Sequence, residues 1–218
     1  MKGLEKYYLA VEGNIGAGKS TLTRLWAEKF QARSVYENFA ENPYLPEFYK
    51  NPESLAFQLE ISFLAERYSQ LKRETESPNL FQPNIVSDYL FAKSFIFARN
   101  NLDEGEFSLF RKVFEIMHGV LPMPNLIVYI HRDVEHLKNN IKKRGREYEQ
   151  EISNSYLKNI ESGYFEYFRT ILNVPILVIN AEDIDFENNP HIFDAMHRFI
   201  FENEHQLGIN TVELFHLI

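Results

Sequence analysis

The stretch Gly13-Asn14-Ile15-Gly16-Ala17-Gly18-Lys19-Ser20 reads G-x-x-x-x-G-K-S, and no other segment restricts the chain's fold as much. The run Tyr7–Glu12 before it is rich in aromatic and apolar residues, and Thr21-Leu22-Thr23-Arg24-Leu25-Trp26 after it is helix-forming. A glycine-rich turn between a strand and a helix presents successive backbone N–H groups, and the helix N-terminus adds its dipole. Such a turn is a phosphate cradle. Gly13 to Ser20 with Thr21 are the candidate binding residues; Lys19 supplies a point charge, and the Ser20 hydroxyl can ligate Mg²⁺. Nucleotide binding follows, with ATP and Mg²⁺ as the implied cofactors.

Four further short runs, Ser34–Glu37, Asn84–Asp88, Leu126–Ile130 and Val174–Ile179, have strand character, the last three as nearly continuous apolar stretches. Between and after them, helical patterns cover Lys19–Phe30, Pro52–Arg73, Leu90–Leu102, Phe107–His118, Val134–Arg144, Ser153–Leu172 and Pro190–Glu202. Alternation of this kind predicts an α/β P-loop NTPase fold, with a five-stranded parallel sheet flanked by helices and a lid at about 142–150. With no internal repeat, and Gly 9 and Pro 9 leaving no long linker, residues 1–218 read as a single domain.

Lys+Arg 23 against Asp+Glu 31 leaves a net charge of −8, so the average field repels nucleic-acid polymers. Cys 0 excludes disulfides, thiolate metal sites and a cysteine nucleophile. No window approaches the ~18 apolar residues of a membrane span, and the N-terminal run is too short for a signal peptide. The expectation is a cytoplasmic protein without membrane contact.

The acceptor must be read from the strand ends. Glu37 closes the second run; a positioned carboxylate suits a hydroxyl acceptor, which loses a proton as it attacks, whereas a monophosphate mainly needs arginines. Asp88 closes the third run, either as an outer ligand for the metal on Ser20 or as the N-cap of the following helix. After the fourth run, Gly145 stops a helix ending Lys142-Lys143-Arg144 and leaves Arg144 and Arg146 on a segment that can fold over phosphates. The alternative is a basic helix C-terminus that only complements the dipole.

Together, EGNIGAGKS (Glu12–Ser20), ENFAENPYLPEFY (Glu37–Tyr49), FQLEISFLAERY (Phe57–Tyr68) and the lid RGREYEQ (Arg144–Gln150) resemble the deoxynucleoside kinase family, especially its small bacterial members. The resemblance implies ATP-dependent phosphorylation of a deoxynucleoside 5′-hydroxyl with Glu37 as general base. It also implies that Tyr49 and Glu149 hold the sugar 3′-hydroxyl, that Arg144 and Arg146 clamp phosphates, and that NAEDIDF (Asn180–Phe186), with Asp183 and Phe186, covers the donor adenine. A homodimer is the implied assembly, with the apolar helices Pro52–Arg73 and Leu90–Leu102 as candidate contact surfaces.

Two departures stand out. Where the family has an acidic-Arg-Ser triplet after strand three, this chain has Ser87-Asp88-Tyr89; and the position of a base-reading glutamine is Glu60, with Lys93 where an aspartate is expected. Glu60 shares a helix stripe with Phe57, Leu64 and Leu71, and it either accepts from a nucleobase edge or pairs with Arg67 or Lys93. A carboxylate acceptor suits guanine, adenine's amino group and cytosine better than thymine, with purines favoured. Among Phe39, Phe63, Phe91, Phe95 and Phe97, the candidate stacking platform is Phe97. Rival functions are a thymidylate-type monophosphate kinase, which calls for an Asp-Arg pair where Asp88-Tyr89 stands, and a non-catalytic nucleotide-binding regulator.

Overall fold

The structure, a computed structural model, describes residues 7–38, 42–76, 82–182 and 184–212. Along a strand, successive side chains face opposite sides of the sheet, and here both sides are apolar. In β1 (Tyr8–Gly13), Leu9 and Val11 enter one cluster and Tyr8 and Ala10 the other. The split recurs in β4 (Leu126–His131), with Val128 and Ile130 against Ile127 and Tyr129, and in β5 (Pro175–Asn180), with Leu177 and Ile179 against Ile176 and Val178. A sheet apolar on both faces needs helices on both. The first face is covered by α1 (Lys19–Phe30), α6 (Val134–Arg144) and α8 (Pro190–Glu202), through Trp26, Ile141 and Met196 among others. The second is covered by α3 (Pro52–Glu76), α4 (Lys93–Asn101), α5 (Glu104–His118) and α7 (Asn154–Phe168), through Leu64, Ile96, Phe110 and Tyr164.

With β2 (Arg33–Val35) and β3 (Ile85–Ser87), the sheet order is β2-β3-β1-β4-β5-β6, and every pairing is parallel. β1 is central and its neighbours are reached by crossovers, so the glycine turn leaves the carboxyl edge where α/β sheets bind ligands. The sheet has six strands rather than five. The sixth, β6 (Gly208–Val212), is an edge strand that buries only Val212, so its sequence lacks the continuous apolar run that marks the inner strands.

Other differences are local. The short α2 (Leu45–Lys50) precedes α3, and α3 runs to Glu76. Helix α4 starts at Lys93 rather than Leu90, because residues 90–92 form the turn that enters it. α5 starts earlier, at Glu104, where the Asp103 side chain accepts the Glu106 N–H, and α7 ends at Phe168, short of Leu172. Residues 134–144 are helical as anticipated, ending on Gly145 at φ +74°. Among the described residues, the large apolar side chains left exposed include none on α3 or α4. They do include Leu109, Ile116 and Val120 along α5 and its end, so the free apolar stripe is not on the two helices named from sequence.

Behind the turn, fully buried Glu12 ties three elements. Its carboxyl accepts the Gly13 N–H at 3.2 Å, the Leu90 N–H at 2.7 Å and the Tyr164 hydroxyl of α7 at 2.8 Å. Removing one donor from a buried carboxyl leaves it short of a partner at a cost of about 1–3 kcal/mol. Tyr164→Phe should lower the free energy of unfolding in urea by about that amount; a change within error would show that Glu12 does not bind the sheet to α7.

Candidate active site

The cradle's backbone requires glycine where it turns. Gly16 sits at φ +85°, and a Cβ there would come within 2.7 Å of the Leu137 carbonyl; Gly18, at φ +97°, would bring one within 3.2 Å of the Phe186 ring. Ile15, Gly16, Gly18, Lys19, Ser20 and Thr21 line a cavity of about 670 Å³, while Gly13, Asn14 and Ala17 build the turn from behind. Asn14 braces it, donating to the Leu157 carbonyl at 2.7 Å and accepting from the Ile15 N–H at 2.9 Å. Lys19 Nζ donates to the carbonyls of Gly13 and Asn14, each at 2.9 Å. Burial, and then repulsion by the Lys93 ammonium, lower its pKa to about 8.

Ser20 Oγ donates to Asp88 Oδ2 at 2.6 Å, and Asp88 Oδ1 accepts the Glu37 N–H at 2.8 Å. Asp88 does not cap a helix: α4 begins at Lys93 with Ala92 before it, so the capping alternative is set aside. Burial, then the negative Glu37, raises the Asp88 carboxyl above its ordinary range. An alcohol and one carboxylate are hard oxygen donors of the kind Mg²⁺ takes alongside phosphates and water, so the pair fits that ion. Among the described residues there is no cluster of three His, Cys, Asp or Glu that would hold a metal without phosphates.

Glu37 lies two residues beyond the end of β2, not at its last position. Its two oxygens are held separately. Oε1 accepts from Arg67 Nε at 2.8 Å and Nη2 at 2.5 Å, and Oε2 accepts from Lys93 Nζ at 2.5 Å. Arg67 is fixed in turn by Nη1 donating to Ser94 Oγ at 2.7 Å. Burial alone would push the Glu37 carboxyl up, but the Lys93 ammonium and the Arg67 guanidinium outweigh it and hold the group well below the usual carboxylate range. Glu60 therefore pairs with neither cation.

Instead, Glu60 Oε1 accepts from Asn101 Nδ2 at 2.6 Å, and Oε2 is buried at the wall of the same cavity with no partner among the described residues. Burial raises this carboxyl to about 7, against the pull of Arg67 and of the Asn101 hydrogen bond. Phe97 lines the wall beside it, its ring centroid 5.5 Å from Lys93 Nζ, and Phe48, Tyr49, Phe63 and Tyr156 complete this end. Phe91 and Phe95 belong to the core, packed on Phe114 with centroids 5.2 Å away in each case. Phe39 lies outside the described residues. Tyr49 stacks on Tyr148 at 6.0 Å, and its hydroxyl is pushed up mainly by burial.

Over the cavity, the lid continues from Gly145 into a 3-10 turn, Glu147–Glu149. Arg144 and Arg146 both pair with the buried Glu149, the second at 3.1 Å, so neither belongs merely to the end of a helix dipole. At the opposite wall, Arg132 spans the cradle and the loop after β5. It donates to the carbonyls of Ala17 at 3.2 Å, Glu182 at 3.2 Å and Ile184 at 2.9 Å, with its guanidinium 5.8 Å from the Phe186 centroid. Phe186 thus lies against the cradle; Asp183 lies outside the described residues. Arg132 was missed from sequence, although a cation directly after β4 is a signal. Asn101 and Tyr156 carry none, since only tertiary packing brings α4 and α7 to this wall.

Phosphate cradle, facing carboxylate and basic lid around one small cavity define a P-loop phosphotransferase with a small-molecule acceptor. The profile of the family described as Deoxynucleoside kinase matches residues 9–202. The chain is 33% identical over 193 residues to a deoxyguanosine kinase of Bacillus subtilis, covering 87% of this chain and 93% of that protein. It is 30% identical over 207 residues to a deoxyadenosine/deoxycytidine kinase of the same organism, covering 90% and 94%. A solved deoxyadenosine kinase from M. mycoides with bound dATP shares the fold, with a TM-score of 0.75 at 24% identity, covering 88% of this chain and 99% of that one. The chain belongs to the deoxynucleoside kinase family, and it is a kinase that phosphorylates deoxynucleosides with ATP. That favours the alcohol acceptor over the monophosphate kinase and the regulator.

Glu60 makes a measurable statement about stability. Its carboxyl titrates near 4.5 when exposed and near 7 when folded, so between these pH values the folded protein keeps a proton that the unfolded chain releases. Stability falls as pH rises through that window, and above it the full penalty is on the order of 3 kcal/mol. Glu60→Gln keeps an oxygen for Asn101 and removes the titration. It should melt at higher temperature than the parent at pH 8, with the gap closing below pH 5; a gap independent of pH would contradict the assignment.

Proposed function

We propose that the chain transfers the γ-phosphoryl of ATP to the 5′-hydroxyl of a purine deoxynucleoside, with Glu37 receiving the hydroxyl proton. The observation that carries this reading is an ionised carboxylate in the same cavity as the cradle, with a buried, half-satisfied carboxyl beyond it. The cradle N–H groups and Lys19 hold the donor phosphates, while Phe186, on the loop that Arg132 ties to the cradle at the carbonyls of Glu182 and Ile184, covers the adenine. Ser20 and Asp88 would hold Mg²⁺, which when bound would supply positive charge against that of the donor phosphates.

The acceptor sugar lies between Glu37 and the lid. Tyr49 and Glu149 take its 3′-hydroxyl, and Arg144 and Arg146 turn their charge to the phosphates. The base lies on Phe97 with its polar edge toward Glu60 Oε2. Guanine N–H groups and the adenine amino group donate to that oxygen when it is ionised, and the protonated form donates to ring acceptors. The names of relatives support a purine in part: one, at 33% identity, is a deoxyguanosine kinase, and another, at 30%, a deoxyadenosine/deoxycytidine kinase whose name takes in a pyrimidine as well.

In the transfer, a 5′-oxygen lone pair forms the bond to γ-phosphorus, the bond to the β,γ-bridging oxygen breaks toward ADP, and the hydroxyl proton passes to Glu37 and then to water. A loose transition state asks little base strength, so a strongly ionised Glu37 serves chiefly by position and charge. The setting we propose is the cytoplasm; none of the described helices is long and apolar enough to cross a membrane. The assembly we propose is a homodimer through the stripe Leu109, Ile116 and Val120. Glu37→Gln should lower kcat by about 10²–10⁴-fold with ATP affinity retained; turnover within about threefold would remove Glu37 from the reaction.

A further inference from the structure

The reaction proposed above gives no role to the cation that touches the free side of the base. Lys93, the first residue of α4, is buried, and its ammonium holds Glu37 Oε2 at 2.5 Å. That oxygen is where an acceptor hydroxyl must dock, because Oε1 already receives two N–H groups from Arg67, whose fork is locked on Ser94. The two cations differ in freedom. Arg67 is planar and bound at three of its nitrogens, whereas Lys93 is a point charge on a four-carbon stem with three interchangeable donors. Lys93 also lines the same cavity as Lys19 and Ser20 of the cradle, so its ammonium faces the space in which the donor phosphates would lie as well as the carboxylate. Glu12, Asp88 and Glu60 are the other charged groups that feel it.

We propose that Lys93 is a catalytic residue: as the 5′-hydroxyl takes its place on Glu37 Oε2, the ammonium shifts onto the phosphoryl group being transferred between Lys19 and the sugar oxygen. The shift has two effects. It adds a positive charge where the equatorial phosphoryl oxygens are gathering negative charge, and it strips the carboxylate of one counter-charge as the proton arrives. No covalent bond to Lys93 forms; the ammonium keeps its three protons throughout, and the hydroxyl proton goes to Glu37.

The proposal rests on the Glu37 reading, and the experiment separates the two. Lys93→Ala, Lys93→Met and Lys93→Arg are assayed with ATP, Mg²⁺ and deoxyguanosine or deoxyadenosine beside Glu37→Gln, with and without added methylammonium or ethylammonium. Expected for Lys93→Ala and Lys93→Met is a fall in kcat of about 100-fold or more with KM for both substrates within about threefold. Lys93→Arg should recover part of the loss, and the small amines should restore turnover to Lys93→Ala saturably while a neutral alcohol of the same size does not. Lys93→Met fills the same volume and covers the case in which Lys93→Ala does not fold. Full kcat in Lys93→Met, a loss confined to KM, or absence of amine rescue in a folded Lys93→Ala would overturn the role of Lys93. An active Glu37→Gln overturns instead the reading beneath it.

Discussion

One carboxylate held by two cations organises this site. Glu37 comes from the loop after β2, Arg67 from α3 and Lys93 from α4, and the three meet only because those helices pack on the same sheet face. Charges taken out of water cost several kcal/mol each unless they are matched, and here the matching is done by geometry on both oxygens. The same contacts free Glu60 from either cation, leaving it with Asn101 and an open oxygen. Position and ionisation at one end of the cavity therefore set the chemistry available at the other.

Strand and helix order was legible because the inner strands are apolar on both faces and so carry continuous apolar runs, while the helices carry stripes and clear stops such as Gly145. β6 escaped notice for the opposite reason: an edge strand with one buried residue has little to distinguish it from a tail. The cradle was legible in full, since its function depends on local backbone and on eight consecutive residues. The acceptor side was only partly so. Glu37, Glu60, Phe97 and Tyr49 were candidates from sequence and all four line the cavity, but which charge meets which could not be read there. Glu60 and Arg67 share a helix face, yet Arg67 reaches across to Glu37, a choice made by the placement of the β2 loop. Asp88 reads equally well as a cap until the helix start is seen five residues further on.

The donor and acceptor ends are tied mechanically as well as electrically. Arg132 joins the cradle to the loop bearing Phe186, and Glu149 gathers both lid arginines beside the cavity. Glu12 anchors the back of the cradle to α7, the helix that also brings Tyr156 to the base end. Lys93 differs from these ties: a flexible side chain, it closes on Glu37 Oε2 at 2.5 Å and lines the same cavity as the cradle.

The account is tested most directly by a structure of the protein with a deoxynucleoside and a non-hydrolysable ATP analogue bound together. It predicts the 5′-oxygen within hydrogen-bonding distance of Glu37 and in line with the γ-phosphorus, the base edge on Glu60, and Arg67 unmoved. A sugar whose 5′-oxygen lies away from Glu37, with both cations still closed on that carboxylate, would contradict it.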